Sequence, residues 1–491
     1  MTNENKLTDE RAMYGSEGDI GMAATDKKFT LWILAWPIFI ELFLQFLLGA
    51  ADTLMVSRIS DDAVAVVGFS NQLFQALTTL FITVASGAGI LIAQKMGSGK
   101  HEDARTIAIM AVSVSGVIGI VLSAVLYLLP GQIASMLKLP AELLPLAKTY
   151  ISIVGGGMVL IAIMAALSTA IRNTGNTKGP MYVAIGMNVL HVILNYAFIF
   201  GAFGFPKWGL AGVALSTVIC RLLAVIVLFF MFRYSFATTI NLRDMSLFNR
   251  RLFGDVLRIG WPMGVNMSCW VFTQLLIFSF IAMIGSAELA ARTYMNTLES
   301  FCFLLGYSVA LAVQIQIAHL FGSGRVKEAY GTAFRAMWIG LVVVTMNALL
   351  LFLFGDKLLG LFTKNPDIIA LGVSLLGLNL LLQPGKMVNM ALGNSLNAVG
   401  DTRYTMWISL FSMWLIATAL AYWIGISLGW GLVGIYACMI LDEYVRGALS
   451  LFRWRGRKFL LKAERGEPDA RAAAEAGPPG GAFSPTAMDA Q

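Results

Sequence analysis

The chain is written twice. Trp36-Pro37 opens a segment whose second apolar stretch ends in Gly97-Ser98-Gly99-Lys100, and Trp261-Pro262 opens another that ends in Gly322-Ser323-Gly324-Arg325. Each position lies 225 residues from its counterpart (36 to 261, 97 to 322), with no gap needed between them. The same offset relates Gly175-Asn176-Thr177-Lys178 to Gly400-Asp401-Thr402-Arg403. A single Gly-Ser-Gly match carries little weight, but three matches at one offset require a duplicated unit.

The unit belongs in a membrane. Apolar runs of about 20 residues, the length that crosses a bilayer as a helix, recur along almost the whole chain. No water reaches the bilayer core, so the backbone there must bond to itself, which long apolar helices do. Only 13% of the residues are charged, too few to cover a soluble surface of this length. Twelve spans are predicted. They lie near 29–54, 64–95, 104–129, 147–172, 178–201 and 208–233, then near 252–284, 289–320, 329–354, 367–397, 403–426 and 430–453. The expected fold is an all-α membrane protein with two pseudo-symmetric six-helix lobes. The N-lobe covers 29–233 and the C-lobe 252–455, joined by a connector at 234–251. Residues 1–28 are polar and carry Asp9, Glu10, Glu17 and Asp19, which is not a cleavable leader. Residues 456–491 include Gly477-Pro478-Pro479-Gly480-Gly481 and are expected to be disordered.

Loop charge sets the expected orientation. With the N-terminus inside, the inner loops hold Lys95, Lys100, Arg105, Arg172, Lys178, Arg243, Arg250, Arg251, Arg325 and Arg403, among others. The outer loops hold only Arg58, Lys138, Lys148, Lys207, Arg292, Lys357 and Lys364. The positive-inside rule then places both termini in the cytoplasm of a cell-membrane protein. Six spans per copy give two parallel repeats, the arrangement of transporters that bind between halves.

Several function classes drop out. The net charge of +7 is spread over short loops between apolar runs, which suits anionic lipid rather than nucleic acid. Gly97-Ser98-Gly99-Lys100 is not a phosphate loop: His101 follows where Ser or Thr is needed, Gln94 precedes, and the strand–loop–helix context is missing. Cys220, Cys269, Cys302 and Cys438 lie inside apolar runs as packing residues. No nucleophile–base constellation or metal spacing is visible, so neither an enzyme nor a bound cofactor is expected. Without a nucleotide site, transport would draw on an ion gradient or on substrate flow.

Charge inside a bilayer is costly and marks a cavity or a partner. Glu41, Gln45 and Asp52 in the first span are separated by four and seven residues, which places them on one face of a helix. Asp52 falls toward the outer end; it could cap the helix or face a cavity and take up a proton. In the fifth span Asn188, His191 and Asn195 share a face and are candidates for a network around Asp52, or for ordinary interhelical bonding. The second copy has Ile277 in place of Asp52. Its charges are Glu299, expected to line the cavity and able to pair with Lys386 beside Pro384, and Asp442, Glu443 and Arg446 in the last span. Asp442 and Arg446 are one turn apart and can pair with each other. Arg221 stands 225 residues before Arg446 as a second structural charge. Pro37 and Pro262 fall inside the first helix of each copy and permit a bend there.

Taken together, the chain resembles the multidrug and toxic compound extrusion family over residues 29 to 455. The resemblance rests on the Pro37…Asp52 helix, the paired glycine turns, Gly400-Asp401-Thr402-Arg403, and Asn195-Tyr196…Ile199-Phe200-Gly201 followed by Gly209-Leu210-Ala211-Gly212. It implies a V-shaped pair of lobes that exports organic cations or other amphiphiles against inward H⁺ or Na⁺, from a monomer in contact only with membrane lipid. It also implies that Asp52 is the coupling carboxylate, with His191 and Asn195 as its fifth-span partners. Trp270 and Lys386 stand where one branch of the family places C-lobe carboxylates, so proton coupling through Asp52 is favoured over Na⁺. A flippase for lipids or lipid-linked sugars of the same superfamily is the neighbouring reading; it calls for more basic cavity residues. A membrane enzyme or receptor would need a catalytic cluster or an ectodomain.

Overall fold

A computed structural model describes residues 30–137, 139–236 and 238–457. The 1–28 segment and the tail beyond 457 lie outside the described residues. Among the described residues there are twelve long helices: α1 Leu31–Val56, α2 Asp61–Gly97, α3 His101–Leu128, α4 Ala141–Asn173, α5 Lys178–Phe200 and α6 Gly209–Arg233, then α7 Arg250–Ile284, α8 Ser286–Gly322, α9 Val326–Leu353, α10 Pro366–Ala398, α11 Thr402–Ser427 and α12 Gly431–Arg455. No strand occurs among the described residues. Eleven of the twelve are long and apolar enough to cross a membrane. The exception is α12, whose middle carries Asp442, Glu443 and Arg446.

The duplication is reproduced residue for residue through three helix pairs. Adding 225 to the bounds of α2, α3 and α4 gives the bounds of α8, α9 and α10. Even the short helix Pro130–Met136 recurs as Gly355–Leu359. The register then slips. Trp208-Gly209 opens α6 and Trp430-Gly431 opens α12, so the offset there is 431 − 209 = 222. The loop before α12 is shorter, and the second half of α11 is π-helical (Met413–Leu420 and Trp423–Ser427) where α5 is a plain α-helix. Arg221 therefore pairs with Glu443 across the repeat, not with Arg446 as a uniform offset implies.

Local chemistry fixes the helix ends. Ser60 caps α2 by accepting from the Ala63 N–H, with Asp61 and Asp62 in the positive first turn. Asn365 caps α10 with Pro366 at its first position. The repeated Gly-Ser-Gly turns are helix stops. Gly99 and Gly324 sit at φ +72° and +75°, and the next N–H reaches back to the Lys95 and Leu320 carbonyls, each at 2.9 Å.

Two apolar clusters join the lobes at the end where these turns lie. In one, Leu31, Leu34, Ala35 and Ile38 of α1 pack with Val309, Val313 and Ile317 of α8. In the other, Leu252, Val256 and Ile259 of α7 pack with Ile90, Ile107 and Ile171 of the first lobe. Each lobe thus lends its first helix to its twin. Toward the opposite end each lobe keeps its own cluster, one around Val66, Phe74 and Val213, the other around Ile281, Leu375 and Ile435. The molecule is a V, closed at the turn end and open at the other. Phe43 and Phe46 of α1 meet Phe301 of α8 at its floor, with ring centroids 6.2 and 5.7 Å apart.

The connector is held down. Asp244 pairs with Arg105, Ser113 donates to the Met245 carbonyl at 2.8 Å, and Thr238 donates to Glu102 at 2.7 Å.

Candidate functional site

Asp52 lies near the open end of α1, where the helix crosses α5 and α6. Asn195 Nδ2 donates to Asp52 Oδ1 at 2.9 Å, and the Ser216 hydroxyl of α6 donates to Asn195 Oδ1. His191 Nε2 and the Thr217 hydroxyl are 3.1 Å apart. His191 Nδ1 is 3.2 Å from Asp52 Oδ1, but out of line for a hydrogen bond. Asn195 and His191 are buried, whereas the Asp52 side chain keeps 18% exposure. The carboxylate is therefore reached from one side by buried donors and from the other by solvent.

Arg221 completes the pocket. It sits one turn beyond Thr217 on α6 and interacts electrostatically with Asp52 and Tyr150, while its Nη1 is buried without a hydrogen-bond partner. The sequence reads Arg221 as a structural charge matched to Arg446; the structure matches it to Glu443 and sets it one turn from Thr217. Asn188 does not bond to Asp52. Its side chain turns back to the Ala184 carbonyl at 2.8 Å, the one-turn bond that satisfies an amide within its own helix.

The other positions on the α1 face separate. Glu41 is 4% exposed and pairs with Arg172 of α4 at 3.4 Å, away from Asp52. Gln45 is exposed. Pro37 is buried inside a continuous α1. Having no N–H, it leaves the Ile33 carbonyl without its helical donor; the Thr177 hydroxyl supplies one at 3.3 Å.

The second lobe has its own polar chemistry. Arg292, expected in an outer loop, is instead 2% exposed within α8. Its Nη1 donates to Glu299 at 3.0 Å and to the Tyr436 hydroxyl at 2.6 Å, and that hydroxyl donates to the other Glu299 oxygen at 3.0 Å. Both Glu299 oxygens are thereby engaged, and the pair with Lys386 that the sequence allowed does not form. Asp442 and Glu443 share Arg446, at 2.5 and 2.9 Å. Ser412 donates to Asp442 at 2.6 Å and Asn389 to Glu443 at 2.8 Å. A cavity lined by Trp270, Gln274, Lys386, Asp442 and Glu443 opens beside them.

The MatE family model matches residues 37–197 and 262–423, two segments whose starts are again 225 apart. The uncharacterized transporter YisQ of Bacillus subtilis is 35% identical over 437 residues, covering 89% of this chain and 96% of the relative. A probable multidrug resistance protein NorM of Thermotoga maritima is 29% identical over 442 residues, covering 87% and 93%. Among solved structures, a MATE in the bent conformation superposes with a TM-score of 0.79 at 19% identity, covering 90% of this chain and 96% of the other.

Proposed function

Because the chain belongs to the multidrug and toxic compound extrusion family of membrane transporters, we propose that it exports amphiphilic, mainly cationic, drugs or small metabolites by exchange with protons. The carrying observation is the placement of Asp52: one acidic side chain, mostly buried with one edge open to solvent, held by Asn195 and faced by His191 and Arg221. As a carboxylate, Asp52 accepts from Asn195 and balances Arg221. Once protonated it loses that charge, becomes a donor, and no longer holds α1 against α5 and α6 in the same way. Antiport requires each ligand to favour a different state. A cationic substrate favours the ionised acid, and the proton competes with it.

The closed end carries the basic loops, so it is assigned to the cytoplasm together with both termini. The V is then open to the outside, where Asp52 meets protons. Reopening inward would part α2 from α8 and α1 from α8, with Pro37 the point at which α1 can bend. A single copy contains both lobes, and the transporter is proposed to act as a monomer in the cell membrane.

Reconstituted vesicles test the reading. With an imposed pH gradient, the wild-type protein should move a lipophilic cation, and Asp52→Asn should reduce that movement to the vesicle leak while keeping the wild-type elution volume. Efflux that persists in Asp52→Asn rejects the role of the acid. Efflux driven only by a Na⁺ gradient rejects the proton.

A further inference from the structure

The two seams between the lobes cross alike but are filled differently. α2 and α7 meet at Gly87 and Gly260, where a Cβ on either would stand 2.4 Å from a carbonyl oxygen of the other helix. At the twin crossing of α8 and α1 the same places are taken by Ala312 and Ala35, both buried. Just beyond the crossing the likeness ends. On the α1–α8 seam Phe39 stacks on Phe43 with centroids 5.8 Å apart, and Phe43 meets Phe301. The matching residues on the α2–α7 seam are Gly264, Ser268 and Ala76. Rings seal one seam. On the other a groove of about 330 Å³ stands open, with Thr83 of α2 on one side and Gly264, Ser268 and Cys269 of α7 on the other. An apolar cavity of about 150 Å³ holds one benzene, so the groove has room for the two rings that Gly264 and Ser268 omit.

The groove faces the bilayer. Trp261 and Phe272 mark its two ends along α7 and are exposed, and Leu257 and Leu275 extend the exposed strip. The other side of α7, with Trp270 and Gln274, faces the C-lobe cavity. No water is present in the bilayer core, so hydrocarbon fills what side chains leave empty there. The same face of α7 ends in charge. Arg251 and Arg258 precede Val265 and Phe272 at seven-residue steps, which keeps all four on one side of the helix. Both arginines are exposed, and neither forms an ion pair among the described residues. On α1 the residue in the place of Arg258 is Ile33. The sealed seam therefore lacks this cation, and the open seam has it.

We infer that the α2–α7 groove binds one anionic phospholipid of the cytoplasmic leaflet. An acyl chain lies in the groove between Trp261 and Phe272, and Arg258 holds the phosphate, with Arg251 behind it. A guanidinium matches a phosphate through two parallel N–H donors, and a tryptophan one turn further on suits the depth of the headgroups. The lipid supplies to this seam the hydrocarbon that Phe39 and Phe43 supply to the other. The inference goes beyond the export function and takes from it only the assignment of the closed end to the cytoplasm.

The delipidated full chain in detergent tests this when titrated with dioleoyl phosphatidylglycerol or dioleoyl phosphatidylcholine and followed by native mass spectrometry. One phosphatidylglycerol should bind at least about fivefold more tightly than phosphatidylcholine, the effect of about 1 kcal/mol from one arginine. Arg258→Gln should weaken phosphatidylglycerol by about fivefold and leave phosphatidylcholine unchanged. Ser268→Phe, which installs the ring of Phe43, should remove the tight site for both. Cys269 reports the place, because it lines the groove while Cys220, Cys302 and Cys438 are buried. Phosphatidylglycerol at about ten times its dissociation constant should slow alkylation of Cys269 by N-ethylmaleimide about tenfold. The inference is overturned if the wild-type protein binds both lipids alike, if Cys269 reacts as fast with lipid bound, or if Ser268→Phe binds as tightly as the wild type. The first two results come from the wild-type protein and decide the matter should a variant fail to fold. Proton-driven efflux of a lipophilic cation from vesicles containing phosphatidylglycerol separates the two failures. Efflux with an unprotected Cys269 sinks the lipid site only, and protection without any gradient-driven efflux sinks the export function only.

Discussion

The glycines that end α2 and α8 should govern which way the V opens. At the closed end the two helices meet backbone to backbone. A Cβ on Gly322 would stand 2.0 Å from the Gln94 carbonyl oxygen, and one on Gly97 would stand 2.2 Å from that of His319. Ordinary contact begins at 3.4 Å, so the backbones would have to part by 1.4 and 1.2 Å. Neither obstacle is a flexible side-chain tip. The same surface carries two inter-lobe bonds, from Gln94 Nε2 to the Ala398 carbonyl at 2.6 Å and between His319 Nε2 and the Asn173 carbonyl at 2.8 Å. A separation of this size would strain or break both. Overpacking of this kind costs about 1–3 kcal/mol, and every 1.4 kcal/mol is about a tenfold shift. Gly322→Ala should therefore lower the population closed at this end by about 5- to 140-fold, and Gly97→Ala by a similar factor. Spin labels at Asp62 and Ala287, exposed positions at the open ends of α2 and α8 that are 225 residues apart, report the change as a shorter inter-lobe distance. Gly331→Ala, with nothing within 4 Å of its added carbon, is the control. An unchanged distance distribution in Gly322→Ala would show that the glycine contact does not limit closure.

Two further perturbations separate coupling from structure. Removing one member of the buried Arg292–Glu299–Tyr436 group, as in Glu299→Gln, leaves a desolvated charge and should cost about 3–5 kcal/mol, seen as a lower thermal midpoint in detergent. Replacing both charges with the first lobe's residues (Arg292→Val with Glu299→Phe, after Val67 and Phe74) should recover much of that loss; a double variant no more stable than the single one contradicts the ion-pair account. In the first lobe, Asn195→Ala leaves Asp52 and Ser216 without their shared partner and should lower proton-driven efflux by at least about tenfold, the effect of one charge-assisted hydrogen bond. Asn188→Ala should change efflux by less than about twofold, since it removes only a bond within its own helix; equal effects of the two would refute the network drawn around Asp52.

The sequence carried the frame because duplication writes geometry into spacing. The 225-residue offset anticipated α8, α9 and α10 from their partners, and the four-residue step from His191 to Asn195 put both on one helix face, which the structure turns toward Asp52. It failed where a short-range event altered the register or the direction of a side chain. The three-residue shortening before α12 made Arg221 and Arg446 look equivalent when Arg221 and Glu443 are. Asn188 has the right face but bonds backward. Arg292 reads as a loop charge because it sits only six residues into a helix whose first turn contains Ser286 and Glu288. Its real partner, Tyr436, is 144 residues away, and no local pattern encodes that contact.

The two lobes differ in a complementary way. The positions matching Asp52, His191, Asn195, Ser216 and Thr217 are Ile277, Ile416, Leu420, Cys438 and Met439, the first three at offset 225 and the last two at 222. Conversely, Arg292, Glu299 and Tyr436 match Val67, Phe74 and Ala214, which pack in the first lobe's apolar cluster. At these positions each lobe is polar or charged where its twin is apolar, whereas Arg221 and Glu443 are a matched pair charged in both. A pair of identical lobes would bind the same ligand on both sides of the cleft, and one ligand could not displace the other from a distance. With unlike chemistry on like frames, the shared helix contacts at α1–α8 and α2–α7 can rock as one symmetric joint. In the proposed exchange the frame sets the motion, and the mismatched residues decide which ligand favours each end of it.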